Sequence, residues 1–135
     1  TGVQTCALPI FADHVRAVTL HKRLLVFGMP TYLYALIGQR PPSVLAFPAH
    51  MYEWAEAGAT GRDEVAELRR VLEGRPGTVV VQEPIPVSPR NEPNVAQVAA
   101  YVRHCGAVRR FTIYDHSGAQ RMAVYSGCLG ARGDD

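Results

Sequence analysis

The sequence predicts an α/β fold with a small, open, mainly parallel sheet, crossover helices and a C-terminal antiparallel hairpin. Residues 23–28 and 78–82 are continuous apolar runs, which are typical of strands covered on both faces, as in parallel sheets. Between them, residues 62–73 carry apolar side chains at helical spacing. This alternation of strand and helix predicts crossover connections between parallel strands.

Three further segments complete the predicted sheet. Residues 43–47 form a short apolar run, and residues 110–114 alternate polar and apolar side chains. Residues 120–125 follow after a short loop that contains Gly118. The last two strands are therefore predicted to form an antiparallel hairpin.

Helices are predicted in the intervals between these strands. The helix at residues 62–73 is expected to end at Gly74, and a second helix is expected to begin at Asn94 as its N-cap. Two shorter helices are predicted at residues 31–37 and 49–57.

The composition indicates one globular domain. A chain of 135 residues with 47% hydrophobic and 19% charged side chains can bury a core, which excludes a largely disordered protein. A net charge of +2 without any run of basic residues gives no reason to expect a nucleic-acid partner. The longest uncharged stretch, residues 24–39, is too short to span a bilayer.

The first ten residues are predicted to be foreign to the protein. TGVQTCALPI matches a translation of the end of a common sequencing-library adapter, so residues 1–10 are interpreted as an assembly artefact. On this interpretation the natural protein is cut near Phe11. The remainder is then a single α/β domain at residues 11–128, followed by a disordered tail at residues 129–135.

The residues that could carry chemistry do not assemble into a catalytic, cofactor or metal site in the sequence. Asp115, His116 and Ser117 are the residue types of a hydrolase triad, but triad partners come from separate segments, so a turn is expected. Gly28 comes directly after a strand, at the position that a phosphate-binding loop would occupy. Pro30, however, removes a backbone N–H group that a bound phosphate would need. The histidines lack metal-ligand spacing. No catalytic residue, cofactor or metal is therefore expected.

The three cysteines form no CxxC pair. Cys6, Cys105 and Cys128 are interpreted as small buried or incidental thiols rather than as a metal site or a disulfide. Whether Cys105 and Cys128 pair with each other is left open.

The segment that follows the clearest strand is a candidate ligand-binding loop. Residues 84–93 contain four prolines and leave the carboxyl end of the strand at residues 78–82, where open α/β sheets usually bind ligands. Arg90, Asn91 and Glu92 supply the polar groups. A stiff surface loop without a ligand is the favoured interpretation, and a binding role is the alternative.

An aromatic cluster after the second predicted strand is a candidate docking surface. Its aromatic members are Phe47, Tyr52 and Trp54, with Met51 among them, and core filling is the default role for such side chains. The alternative is docking against a partner or against the membrane part of a larger protein.

The segment LLVFGMPTYLYALIGQRPPS carries a family resemblance. It resembles the start of the soluble C-terminal domain of bacterial membrane glycosyltransferases of the GT-C class, which include relatives of protein O-mannosyltransferases and of aminoarabinose transferases. In that family a strand ending in an aromatic residue and glycine precedes a short helix that contains Leu-Tyr. A basic residue and prolines then lead into a second strand. The matching positions here are Leu25, Val26, Phe27 and Gly28, then Leu33 and Tyr34, and then Arg40, Pro41 and Pro42.

The resemblance implies a membrane enzyme that takes a sugar from a polyprenyl phosphate on the extracytoplasmic side. The catalytic acid of that family lies in its membrane part, so the resemblance assigns no catalytic residue to this chain. It implies a domain that covers the active site or aids acceptor selection. Its partners would be the missing N-terminal membrane domain and a lipid-linked sugar or acceptor. The alternative is a self-standing cytosolic module that binds a small anion through residues 84–93.

Overall fold

A computed structural model describes residues 3–28, 32–40, 64–84, 91–115 and 118–129, and it contains alternating strands and helices. The elements in chain order are β1 (Val3–Cys6), α1 (Leu8–Thr19), β2 (Leu24–Phe27), α2 (Tyr32–Leu36), α3 (Glu64–Glu73), β3 (Thr78–Gln82), α4 (Glu92–Val102), β4 (Ala107–Asp115) and β5 (Gly118–Ser126). Within these ranges, none of the helices has the length and apolar character needed to cross a membrane.

The strands form one open sheet in the order β1-β4-β5-β3-β2. The pairs β1–β4 and β2–β3 are parallel, whereas β5 is antiparallel to both β3 and β4. Four of the five strands therefore point the same way, and only the return strand of the hairpin opposes them. This confirms the predicted α/β class and the mainly parallel sheet with its antiparallel hairpin.

Most predicted elements coincide with observed helices and strands, but the first two observed elements have no predicted counterpart. Residues 3–6 form edge strand β1, and α1 follows directly; neither element was predicted. The interpretation of residues 1–10 as adapter-derived stays a prediction. The strand predicted at residues 43–47 and the helix predicted at residues 49–57 lie outside the described residues.

The predicted start of the helix before β4 is wrong. Helix α4 begins at Glu92 with Asn91 as its N-cap, and Asn94 lies buried within its first turns. Pro93 explains the shift, because proline is favoured in the first helical turn, where its missing N–H has no intrahelical partner. Asn94 instead accepts a hydrogen bond at its Oδ1 from Gln97 Nε2 at 3.2 Å.

Helices α1 and α2 cover one side of the sheet, the first face. Phe11 of α1 meets Phe111 of β4 edge-to-face with ring centroids 5.2 Å apart, and both side chains are fully buried. The cluster includes residues from all five strands: Cys6, Leu24, Val26, Val80, Phe111, Ile113, Met122 and Val124. Burying this continuous apolar surface is the main source of stability on this side.

Helices α3 and α4 cover the other side of the sheet, the second face. Leu68, Val71 and Val98 point from these helices onto alternate residues of β2 and β3. Because successive strand residues face opposite sides, Leu25 and Phe27 pack here while Leu24 and Val26 pack on the first face. The domain thus has three layers, with helices on both sides of the sheet.

A disulfide joins Cys105, just after α4, to Cys128, just after β5. The interpretation of these two residues as incidental thiols is therefore wrong. The sequence could not show the pairing because the two cysteines are 23 residues apart and meet only when α4 and the hairpin pack together. Cys6 is a free, buried cysteine.

Candidate functional site

At the carboxyl end of β3, where the sequence placed the ligand-binding loop, the structure shows an ion pair. Glu83 follows β3, and its Oε1 accepts a hydrogen bond from Arg110 Nε of β4 at 3.1 Å. Tyr125 of β5 lies beside both groups. Partial burial raises the pKa of Tyr125, the Glu83 carboxylate raises it further, and the Arg110 guanidinium opposes both effects.

This arrangement links strands rather than activating a reactive group. The side chains of Arg110 and Glu83 are 44% and 38% exposed, so solvent screens their attraction. The hydrogen bond to Glu83 raises the pKa of Arg110, so the guanidinium stays charged. A carboxylate committed to a guanidinium is a poor general base, and the cluster therefore acts as a bridge from β3 across β5 to β4.

The three residues predicted to bind a ligand are placed differently from one another. Arg90 lies outside the described residues. Asn91 is completely buried, and its backbone oxygen accepts a hydrogen bond from the N–H of Val95 at 3.0 Å. Glu92 is exposed in the first turn of α4. Of the two described residues, Asn91 is buried and Glu92 exposes a carboxylate, so anion binding here remains a prediction that depends on Arg90.

The predicted docking residues Phe47, Met51 and Trp54 all lie outside the described residues. Their role as a docking surface stays a prediction.

Three of the residues that carry the family resemblance, Val26, Leu33 and Tyr34, pack together on the first face at the β2 edge of the sheet, whereas Phe27 packs on the second face. The hydroxyl of Tyr34 accepts a hydrogen bond from the backbone N–H of Val26 at 2.8 Å. Leu33 and Tyr34 are buried against the first face, and burial raises the pKa of the Tyr34 hydroxyl. The turn between β2 and α2 begins at Gly28, whose positive φ of 97° is a backbone conformation that glycine adopts more readily than other residues. The motif therefore has a structural role, which is to fix α2 against β2.

A second group of polar side chains, which the sequence did not predict, lies on the first face. The Arg109 guanidinium sits 5.3 Å from the centroid of the Phe111 ring, and the His14 ring centroid lies 5.0 Å from the same point. Burial raises the pKa of the Cys6 thiol, and Arg109 opposes this. Burial lowers the pKa of His14, and Arg109 lowers it further.

These shifts decide what the group can do. At neutral pH the Cys6 thiol stays protonated and the His14 imidazole stays neutral, which is the reverse of the thiolate–imidazolium pair of a cysteine nucleophile. No local sequence pattern predicts this group, because its members come from three separate elements and Cys6 lies within the segment interpreted as adapter-derived.

A shallow groove of about 310 Å³ lies between α3 and α4. Its lining consists of Leu72, Gln97, Ala100, Tyr101 and His104. The Tyr101 hydroxyl donates a hydrogen bond to the backbone oxygen of Pro76 at 2.6 Å, so it serves the fold. Within the described ranges, no group of three or more His, Cys, Asp or Glu side chains could hold a metal ion.

Comparison of the chain with protein-family models, with curated proteins and with solved structures gives no significant match.

Proposed function

We propose that this chain is the extracytoplasmic, non-catalytic C-terminal domain of a polyprenyl-phosphate-sugar-dependent membrane glycosyltransferase of the GT-C class. The observation that carries the proposal is the motif from Val26 to Tyr34. The motif resembles the family pattern, and three of its residues, Val26, Leu33 and Tyr34, pack together on the first face, where the Tyr34 hydroxyl accepts a hydrogen bond from the Val26 N–H. The resemblance therefore concerns a structural unit rather than scattered surface positions.

The disulfide between Cys105 and Cys128 is a second, independent support. Structural disulfides persist in oxidising compartments and are rare in the cytosol, where thiols are kept reduced. A cytosolic anion-binding module would not be expected to link α4 to the end of β5 in this way. The bond therefore favours the extracytoplasmic proposal over that alternative.

In this proposal the sugar transfer itself belongs to the membrane part of the protein. The domain would cover the active site or help to select the acceptor, and its partners would be the membrane part and the lipid-linked sugar or acceptor. The second face suits contact with a neighbouring part, because Val108 and Tyr114 of β4 are 40% and 60% exposed there.

The test is to recover the upstream reading frame of the same locus from an adapter-free sequence. The proposal expects several apolar spans of about 20 residues, with an acidic residue in the first large loop. A start codon immediately before Phe11 would contradict it and would favour the small-anion-binding module.

A second experiment uses the recovered full-length protein. Deleting the present domain should strongly reduce sugar transfer from a polyprenyl-phosphate donor, while the membrane part still inserts. Unchanged transfer after deletion would contradict a role at the active site.

A further inference from the structure

Two residues with unfavourable backbone conformations lie in helix-to-strand turns. Leu20, between α1 and β2, has a φ of 53°, and Arg75, between α3 and β3, has a φ of 57°. They are the non-glycine residues with positive φ in the part of the chain that the structure describes. Glycine would adopt this conformation at lower cost, so both turns carry a side chain in a strained backbone conformation.

These turns form one surface at the amino end of the sheet. The backbone oxygen of Arg23 accepts a hydrogen bond from Gly77 N at 2.9 Å, and the oxygen of Gly77 accepts one from Cys128 N at 3.2 Å. The oxygen of Gly127 in turn accepts a hydrogen bond from Gly106 N at 3.1 Å. We call this the amino-end surface; it comprises residues 20–23, 40, 75 and 103–104.

The amino-end surface is rich in positive charge. Its basic side chains are Lys22, Arg23, Arg40, Arg75 and Arg103. Gln39 places Arg40 there, because its Nε2 donates to the backbone oxygen of Lys22 at 2.8 Å. Glu73, the last residue of α3, lies two positions before Arg75 and adds one negative charge beside this surface. The opposite, carboxyl end of the sheet carries charges of both signs, with Glu83 and Glu92 beside Arg110 and Arg121.

The same surface exposes a large apolar side chain. Leu20 is 67% exposed, and His21 and Lys22 follow it directly. An apolar side chain at the tip of a basic surface is the combination that binds the interface of an anionic membrane, where the side chain enters the headgroup region and the cations attract phosphates. Backbone contacts to nucleic acid would give Leu20 no comparable use.

We infer that the amino-end surface docks peripherally on anionic phospholipid membranes, with Leu20 entering the headgroup region. This inference rests on charge, exposure and backbone strain, and it goes beyond the proposed glycosyltransferase function. If vesicle binding fails, the proposal tested by the upstream reading frame is unaffected.

The test is co-sedimentation of the full chain with lipid vesicles. Binding is expected to vesicles of phosphatidylcholine with about 30% phosphatidylglycerol, and to weaken strongly at about 0.5 M salt. Much weaker binding is expected to pure phosphatidylcholine. Equal binding to both vesicle types, or none to either, would overturn the inference. Binding to duplex DNA as tight as to anionic vesicles would also overturn it.

Matched variants locate the surface. Arg40→Gln combined with Arg103→Gln should weaken binding about 25-fold, since each basic residue near an anionic surface contributes about fivefold. Arg121→Gln, which removes an exposed cation towards the carboxyl end of the sheet, is the control and should change binding much less. An equal loss with Arg121→Gln would overturn the assignment.

The role of Leu20 is tested in the same way. Leu20→Ala should weaken binding about tenfold, because part of a leucine side chain leaves the headgroup region. Ile10→Ala is the control, since Ile10 is 54% exposed in the first turn of α1, away from this surface. Leu20→Gly adds an internal check, because it relieves the backbone strain. It should weaken binding without lowering the melting temperature, and unchanged binding by both Leu20 variants would overturn the inference.

Discussion

The two faces of the sheet are held in different ways. The first face buries apolar residues from all five strands beneath α1 and α2. The second face has its core over β2, β3 and part of β5, and β4 exposes Val108 and Tyr114 there. The disulfide at Cys105 and the ion pair at Arg110 both strengthen the second side. Packing thus suffices for one face, whereas the other also depends on a bond that requires oxidising conditions.

The largest expected effect is on the first face. Phe111→Ala should lower the free energy of unfolding by about 3–5 kcal/mol, because it empties a fully buried aromatic site against Phe11. Urea denaturation measures the change. Tyr114→Ala on the same strand is the control, and it should cost far less since Tyr114 is 60% exposed on the second face. A similar decrease in the free energy of unfolding for both variants would contradict the difference in packing between the two faces.

The disulfide should have the next largest effect. Cys105→Ser combined with Cys128→Ser should lower the free energy of unfolding by about 3 kcal/mol, since the bond closes a loop of 23 residues in the unfolded chain. Reductant should bring the wild-type protein to nearly the same stability in chemical denaturation. Adding reductant to the double variant should change nothing, and any large further loss would contradict this account.

The sequence predicted those parts of the fold that local pattern determines. Apolar runs located β2 and β3, helical spacing located α3, and Gly118 located the hairpin. It did not locate β1, which lies within the segment interpreted as adapter-derived, or α1, which begins within that segment. The start of α4 was missed because Asn91 and Asn94 are equally good caps by residue type, and Pro93 favours the earlier one.

The sites were harder to predict than the fold. The Glu83–Arg110 pair joins residues 27 positions apart, and the pairing of Cys105 with Cys128 depends on how α4 packs against the hairpin. Neither has a local sequence pattern. The amino-end surface likewise gathers cations from four separate turns, so a net charge of +2 for the whole chain concealed it.

A buried hydroxyl on the first face offers a stabilising change. Thr78 is completely buried, and its Oγ1 has no hydrogen-bond partner among the described residues. Thr78→Val keeps the shape and removes the unsatisfied group, so the free energy of unfolding should rise by about 1 kcal/mol. Thermal denaturation measures it. Thr112→Val, at a half-buried position on β4, is the control and should have a smaller effect. A destabilised Thr78→Val protein would show that the hydroxyl is satisfied after all.

The ion pair on the second face should contribute little. A double-mutant cycle of Glu83→Gln and Arg110→Gln should give a coupling free energy of about 0.2–1 kcal/mol, because both side chains are partly exposed. High salt should remove most of it. A coupling several times larger that persists in salt would mean that this pair holds the second face as strongly as the disulfide does.

The smallest effect concerns pH and the first face. Burial lowers the pKa of His14 below its ordinary value of 6.5, so the unfolded chain binds a proton more readily than the folded one. The effect of His14 on the free energy of unfolding is therefore constant at pH values well above 6.5. As the pH drops below 6.5, the unfolded chain takes up the proton first and the free energy of unfolding decreases. His14→Gln should flatten the fall in melting temperature between neutral and mildly acidic pH. An identical pH profile for both proteins would contradict the direction of the shift.

Hydrogen exchange with and without reductant compares the two faces in a single experiment. Reduction of the Cys105–Cys128 bond should speed amide exchange in α4 and in the turn that follows it, while α1 and β2 stay protected. That result would show that the second face depends on an oxidising environment and the first does not. Equal changes in α1 and α4, or no change in α4, would contradict the account.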